Sequence, residues 1–254
     1  MTGPVRKEPP FDPDTESLDA ALDGRVSLIQ PRGGYRFSVD AVLLADFAGP
    51  AKSPGFAVDL GTGCGVVALL LLHQGKAARV AGVEIQPELA ALARRNAILN
   101  HRETAFEVVD GDLRAIAGLF PAQCAGLVVA NPPFHPVGAG RDNPVRQEAV
   151  ARREHACELA DVVRAAKHLL CGRGRACFVY PAPRLHDLFA ALAAAGLRGR
   201  RMRAVHPRPG EPARLILLEA DAGRRSAFLV ESPLTLETAD GVYTVEADAI
   251  LRGK

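Results

Sequence analysis

The stretch Val58-Asp59-Leu60-Gly61-Thr62-Gly63-Cys64-Gly65 limits what this chain can fold into more than any other. It follows an apolar run, Phe56-Ala57-Val58, that reads as a buried strand. Its glycines allow a sharp turn and a close backbone approach to a ligand before a helix opens at Cys64. A second stretch, Asn131-Pro132-Pro133-Phe134, follows another apolar run, Leu127-Val128-Val129-Ala130. In an open parallel sheet, ligands bind outside the carboxyl ends of the strands, so the two stretches should meet at one crevice.

The pattern around them alternates. Strands are expected at residues 56–60, 79–84, 105–109, 126–130, 176–180, 199–205 and 214–219. Helices are expected at 64–74, 87–99, 113–119, 148–170 and 182–195. Repeated strand–helix units of this size imply an α/β fold: a Rossmann-like, seven-stranded, mostly parallel sheet with helices on both faces. The last two strands are joined through His206-Pro-Arg-Pro-Gly-Glu-Pro212, too short for a crossover helix, so they should form an antiparallel C-terminal hairpin. Residues 1–16, rich in Pro, Asp and Glu, read as a disordered tail. Residues 17–54 read as an N-terminal cap. Within it, 25–30 and 35–37 form two strands around the turn Pro-Arg-Gly-Gly, and Ser38 caps a helix over 39–47. The main domain spans 55–220, and 221–254 forms an extension with a hairpin-like tail about Asp240-Gly241.

Composition excludes several classes. The five cysteines are odd in number and lack C-x-x-C spacing, which argues against a disulfide framework or a zinc site and for small buried hydrophobes. The longest aliphatic run, Val66 to Leu72, is too short to span a bilayer, and the first residues lack the apolar core of a signal peptide. A soluble cytoplasmic protein is expected. The net charge of +2 does not by itself announce a nucleic-acid partner.

The glycine loop carries two acidic companions. Glu84 ends the next strand, 19 positions after Gly65, where a carboxylate suits ribose hydroxyls. Asp59 stands two residues before Gly61. There it would repel a pyrophosphate but attract an ammonium or sulfonium, which points to S-adenosylmethionine rather than a dinucleotide. The competing reading of Asp59 is a turn-capping acid. Asp112 is placed to accept from the cofactor's adenine amine, or to cap the next short helix, or both.

Asn131-Pro132-Pro133-Phe134 suits a planar amine. Such a nitrogen is a poor nucleophile until two acceptors, one for each N–H, pyramidalise it. The Asn131 side-chain carbonyl and the Pro132 backbone carbonyl would serve. Two prolines in a row stiffen the arm, and Phe134 offers a stacking plate. His135 touches substrate or makes a local hydrogen bond. Neither a metal nor a general base is required.

These residues resemble the class I S-adenosylmethionine-dependent methyltransferases that modify planar nitrogens. Three more stretches are similar to the tRNA(1)(Val) adenine-37 N6-methyltransferase family. They are the run from Gln30 to Leu44, the run from Val205 to Leu215, and Gly241-Val-Tyr-Thr. The resemblance implies N6-methylation of an adenine in RNA, in the tRNA anticodon loop. It implies a cofactor site built from Phe37, Asp40, Asp59, Gly61, Thr62, Gly63, Glu84, Asp112 and Asn131, with Phe37 to Asp40 closing over the methionine end. Asn131, Pro132 and Phe134 would be catalytic. Pro133, Phe134, His135, Arg141 and Arg146 would meet the substrate. Basic residues gather at Arg141, Arg146, Arg152 and Arg153, able to grip phosphates around an everted base, and again between Arg198 and Arg214. The rival readings are a guanine N2-methyltransferase of ribosomal RNA, a protein glutamine N5-methyltransferase and a non-catalytic cofactor-binding scaffold. A nicotinamide dehydrogenase is disfavoured because no Tyr–Lys or His relay is visible.

Overall fold

The computed structural model describes residues 11–33, 37–52, 55–132, 157–223 and 227–254. The main sheet is assembled from β3 (Phe56–Leu60), β4 (Arg79–Glu84), β5 (Phe106–Asp110), β6 (Ala125–Ala130), β7 (Leu170–Pro181), β8 (Arg198–His206) and β9 (Leu215–Asp221). Their order is β8-β9-β7-β6-β3-β4-β5, and only β9 runs against its neighbours. This is the expected seven-stranded sheet with its antiparallel β8–β9 hairpin. Two two-residue strands, β10 (Leu229–Val230) and β11 (Leu234–Thr235), add parallel pairs to β8.

Strand side chains alternate between two cores. Ala57, Val80, Leu127, Val129, Cys177 and Val179 face one cluster, with α1 (Val39–Phe47), α2 (Val66–His73) and α3 (Pro87–Leu99). Val58, Leu60, Ala81, Val128, Ala130, Ala176 and Phe178 face the other, with α5 (Leu159–Leu169), α6 (Leu185–Ala194) and the one-turn α4 (Ile116–Leu119). Both faces being covered explains why these strands are apolar throughout. The aliphatic run Val66 to Leu72 is α2, buried along its whole length. A helix apolar on every side needs cover on every side. α1 and the N-terminal hairpin supply what the sheet cannot.

That hairpin differs from the expected one. β2 (Val26–Pro31) pairs with β1 (Glu16–Ala21), which precedes it, through a turn at Leu22-Asp23-Gly24 with positive φ at all three residues. Phe37 is outside any strand, and residues 34–36 lie outside the described residues. The expected disordered tail is shorter at its end: Asp12 to Thr15 form a turn whose Pro13 and Thr15 carbonyls accept from Arg32, and Glu16 opens β1 and pairs with Arg95. Ser38 does occupy the N-cap of α1, but its side chain makes no capping bond. The C-terminal tail is also corrected. Only one antiparallel bridge, Glu237–Tyr243, spans Asp240-Gly241, and the chain then forms α7 (Val245–Arg252), capped by the Thr244 hydroxyl.

The late arginines are the third correction. Arg200 pairs with Asp221, Arg201 with Glu219 and Glu231, Arg203 with Glu246, Arg208 with Glu237 and Arg214 with Glu211. Arg201 also sits 4.0 Å over the Phe47 ring. The bonds of Arg200, Arg201 and Arg203 fasten β9, α1 and the C-terminal extension to β8, and Arg208 joins the loop after β8 to that extension. Two of the five cysteines, Cys64 and Cys177, are buried as expected, whereas Cys124, Cys157 and Cys171 are only half-buried.

β6 carries Asn131, and its height depends on a close approach. A Cβ at Gly126 would overlap the Lys52 carbonyl. Gly126→Ala is expected to destabilise the fold by about 1–3 kcal/mol in urea unfolding, as overpacking against backbone does. An unchanged midpoint would mean that this approach is slack.

Candidate active site

Strand register brings the site together. Leu60 of β3 is paired with Ala130 of β6 and with Val83 of β4, and Glu84 is paired with Asp110 of β5. Gly61, Asn131, Glu84 and the Gly111-Asp112 turn therefore leave four neighbouring strands at one level, on one edge of the sheet. Adjacent strands are ~4.8 Å apart. From β3 the chain winds outward through β4 to β5, and β6 lies on the other side of β3. The gap between β3 and β6 is thus the topological switch point, where such sheets bind ligands.

The glycine loop is held from beneath. The Val83 carbonyl accepts from the N–H groups of Gly61 (2.9 Å) and Thr62 (3.0 Å). Glu84 Oε2 accepts from Gly63 N–H at 2.9 Å, and Oε1 accepts from Gln86 N–H at 3.0 Å. Gly61 and Gly65 have φ of +71° and +88°. A Cβ on Gly65 would strike the Phe106 ring, whereas one on Gly61 would meet nothing within 4 Å. Gly61 thus borders open space above the sheet.

Asp59 is 1% exposed. The Thr62 hydroxyl donates to its Oδ2 at 2.6 Å. Burial, with Glu84 adding repulsion, pushes its carboxyl up to about 7, against the bonds from Thr62 and the Ala68 backbone. Thr62 itself is turned inward and stacked over Gly82, so its side chain serves Asp59 and not a ligand. Burial pushes the neighbouring Cys64 thiol up to about 12, which makes it inert.

Asp112 caps a short 3-10 turn by accepting from Arg114 N–H at 2.8 Å, and the Arg114 guanidinium holds its carboxyl below the usual range. The capping reading is therefore realised, and the half-buried carboxylate still lies at the site edge. Asp40 stands in the first turn of α1 with its carboxyl raised by burial. The Phe37 N–H is held by Gln30 Oε1 at 2.8 Å. Phe37 lines a groove with Leu22, Gly24, Leu251 and Arg252, so no described contact joins it to Glu84 or Asn131. Asn131 is half-buried and its side chain makes no hydrogen bond to any described residue, while Pro132 is buried. Pro133, Phe134, His135, Arg141, Arg146, Arg152 and Arg153 lie outside the described residues.

Residues not anticipated from sequence also shape the site. Asn96, 0% exposed, bonds the Cys64 carbonyl at 2.9 Å and both backbone groups of Ile29. Gln30, also buried, links Asp19 to Phe37. The i, i+4 spacing of Asn96 and Asn100 on one helix was the available signal.

The methyltransferase small domain matches residues 40–175. The chain belongs to that family. It is 34% identical over 231 residues to the tRNA1(Val) (adenine(37)-N6)-methyltransferase of Porphyromonas gingivalis, covering 87% of this chain and 89% of that one. The enzyme of the same name from Aeromonas hydrophila is 26% identical, with 84% and 87% covered. Among solved structures, a predicted O-methyltransferase from Agrobacterium tumefaciens superposes with a TM-score of 0.66 at 25% identity, over 84% of this chain and 96% of that one.

The protein is thus a methyltransferase that uses S-adenosylmethionine. The site fits that cofactor. Glu84 Oε2 keeps a lone pair for a ribose hydroxyl beyond the Gly63 N–H, while Oε1 already accepts from the Gln86 backbone N–H and, at 3.5 Å, from its side-chain amide. The open side of Gly61 lets a ligand lie on the backbone, and Asp59 is an acid whose ionisation a bound cation would favour. Among the described residues no cluster of His, Cys, Asp or Glu could hold a metal, and no helix is long and apolar enough to cross a membrane.

The raised Asp59 pKa has a definite sign. Between about 4 and 7 the folded protein binds a proton at Asp59 that the unfolded chain has lost, so this group makes stability fall as pH rises through that window. Asp59→Asn is expected to remove that fall. Urea unfolding of both proteins across pH 4–8, without cofactor, reads it as curves that diverge with pH; parallel curves would contradict the burial of a titrating Asp59.

Proposed function

We propose that this methyltransferase acts on the exocyclic amine of an adenine in a tRNA anticodon loop, in the cytoplasm. The observation that carries this reading is the placement of Asn131 beside the glycine loop, with a side-chain amide that no described residue engages. Relatives named as tRNA adenine N6-methyltransferases, aligned over most of their length, support the choice of substrate.

The chemistry follows from what the chain supplies. S-Adenosylmethionine, when bound, provides an electrophilic methyl group on a positively charged sulphur. Glu84 would hold the ribose and Asp112 the adenine amine of the cofactor, and the buried Asp59 beneath the loop would favour its cationic end through the field rather than by contact. The family likeness would place Phe37 and Asp40 over the methionine portion, although Phe37 lines the groove of the N-terminal hairpin and the last helix. The lone pair of the target nitrogen is delocalised into its ring. The Asn131 side-chain oxygen and the Pro132 carbonyl each accept one N–H, which turns that lone pair out of the ring plane and toward the methyl group. Pro132 cannot donate a backbone hydrogen bond and has a fixed φ, so its carbonyl stays where the amine needs it. By the family likeness, Pro133 would stiffen the arm, Phe134 would stack on the base and His135 would meet the substrate. Arg141 and Arg146 contact phosphates, which lets an unstacked loop base be presented. The methylated amine loses its proton to water. Positioning therefore does most of the catalytic work.

Asn131→Ala is expected to lower methyl transfer by roughly 100-fold or more while cofactor affinity stays within a few-fold. The assay uses labelled cofactor with total tRNA, ribosomal RNA and a release factor, followed by nucleoside analysis. Label in N6-methyladenosine from tRNA supports the proposal. Label in guanosine or protein, or full activity of the variant, overturns it.

A further inference from the structure

α3 grips the N-terminal hairpin in an unusual way. Asn96 and Asn100 lie one helical turn apart and meet the edge of β2 that β1 leaves open. Asn96 Oδ1 accepts from Ile29 N–H at 2.7 Å, and its Nδ2 donates to the Ile29 carbonyl at 3.0 Å. Asn100 repeats the pattern on Ser27, with bonds of 3.0 and 2.7 Å. Four helical residues rise ~6 Å, and alternate strand residues are spaced ~6.6 Å. Those lengths match closely enough for two side-chain amides to act as the missing strand.

The two asparagines then diverge. The second Nδ2 proton of Asn100 goes back to the Asn96 carbonyl within its own helix, at 2.8 Å. The second proton of Asn96 crosses to the Cys64 carbonyl at 2.9 Å. Asn96 is fully buried, and its one acceptor oxygen and two donor hydrogens are all used. An aspartate would turn a carboxylate toward two carbonyls, and an aliphatic residue would leave three buried backbone groups without partners.

The carbonyl it holds lies inside the cofactor loop. The Cys64–Gly65 peptide is clamped on both sides: its carbonyl by Asn96, its N–H by the Thr62 carbonyl at 2.9 Å. Two peptides earlier, Gly63 N–H is held by Glu84. The same Asn96 amide fixes Ile29, one residue before Gln30, which carries the Phe37 N–H.

We propose that Asn96 is a positioning residue for S-adenosylmethionine binding. It fixes the binding shape of the glycine loop through the Cys64 carbonyl and joins that loop to the N-terminal hairpin. This rests on the reading that residues 61–65 and Glu84 hold the cofactor. Asn100 docks Ser27 through the same two bonds but bonds to no residue of the loop, so it is the control for hairpin docking alone.

The test compares Asn96→Ala, Asn100→Ala and Glu84→Ala in the full-length protein by calorimetric titration with S-adenosylhomocysteine, alongside thermal unfolding and steady-state kinetics. Both asparagine variants are expected to lower Tm. Only Asn96→Ala is expected to raise the Kd, by about tenfold, with KM for the methyl donor rising in parallel and kcat at saturating donor within about threefold. Asn96→Ser is measured in the same way if the alanine variant does not fold. An unchanged Kd for the Asn96 variant, or an equal rise for Asn100→Ala, overturns the proposal when Glu84→Ala weakens binding as expected. If Glu84→Ala also leaves Kd unchanged, the placement of the cofactor on this loop is itself wrong, and the proposal falls with it.

Discussion

The parallel pairing of β3 with β6 is the contact on which the site depends. Leu60 opposite Ala130 sets Gly61 and Asn131 at one height on neighbouring strands. Two loops separated by about 70 residues of chain, the proposed cofactor seat and the proposed amine-holding arm, then leave neighbouring strands at one level. A shift of one residue would send each side chain into the other core, whose packed shape it does not fit. The packing of the two cores is therefore also what sets the height of the two loops.

Electrostatics at the site is arranged by burial. Asp59 is enclosed, bonded by Thr62 and repelled by Glu84, so without a ligand its charge is disfavoured at neutral pH. A cationic ligand bound beside it would reverse that preference. The same principle, with different outcome, governs the rest of the molecule. Glu219 and Glu231 surround Arg201, and the network ties β8, β9 and the C-terminal extension together. Burying one such charge without the others would be strongly destabilising.

How far the sequence could be read depended on how local each signal was. Gly61, Glu84 and Asn131 were legible because an apolar run followed by turn residues marks a strand's carboxyl end, and the β-α alternation orders the strands. β1 was not legible, because Glu16–Ala21 has one buried position and mixed polarity. The tail misled, since Val-Tyr-Thr-Val alternates like a strand while Thr244 in fact caps a helix. The ion pairs of Arg201 and Arg203 join residues 18 to 43 positions apart, a separation that no short-range pattern reports. For Asn96 the only local signal is its i, i+4 spacing with Asn100, and the hairpin laid against it shows the fully engaged amide. Residues 133–156, which include Phe134 and Arg141, lie outside the described part, so their roles rest on sequence and likeness alone.

The most direct measurement is a crystal structure with S-adenosylhomocysteine bound. Its ribose hydroxyls should meet the Glu84 carboxylate, its amino group should lie on the Asp59 side of the loop, and its sulphur should face the Asn131 side chain across the β3–β6 gap. A ligand seated elsewhere, or an Asn131 amide turned away and bonded to the protein's own backbone, would contradict the convergence of the two loops.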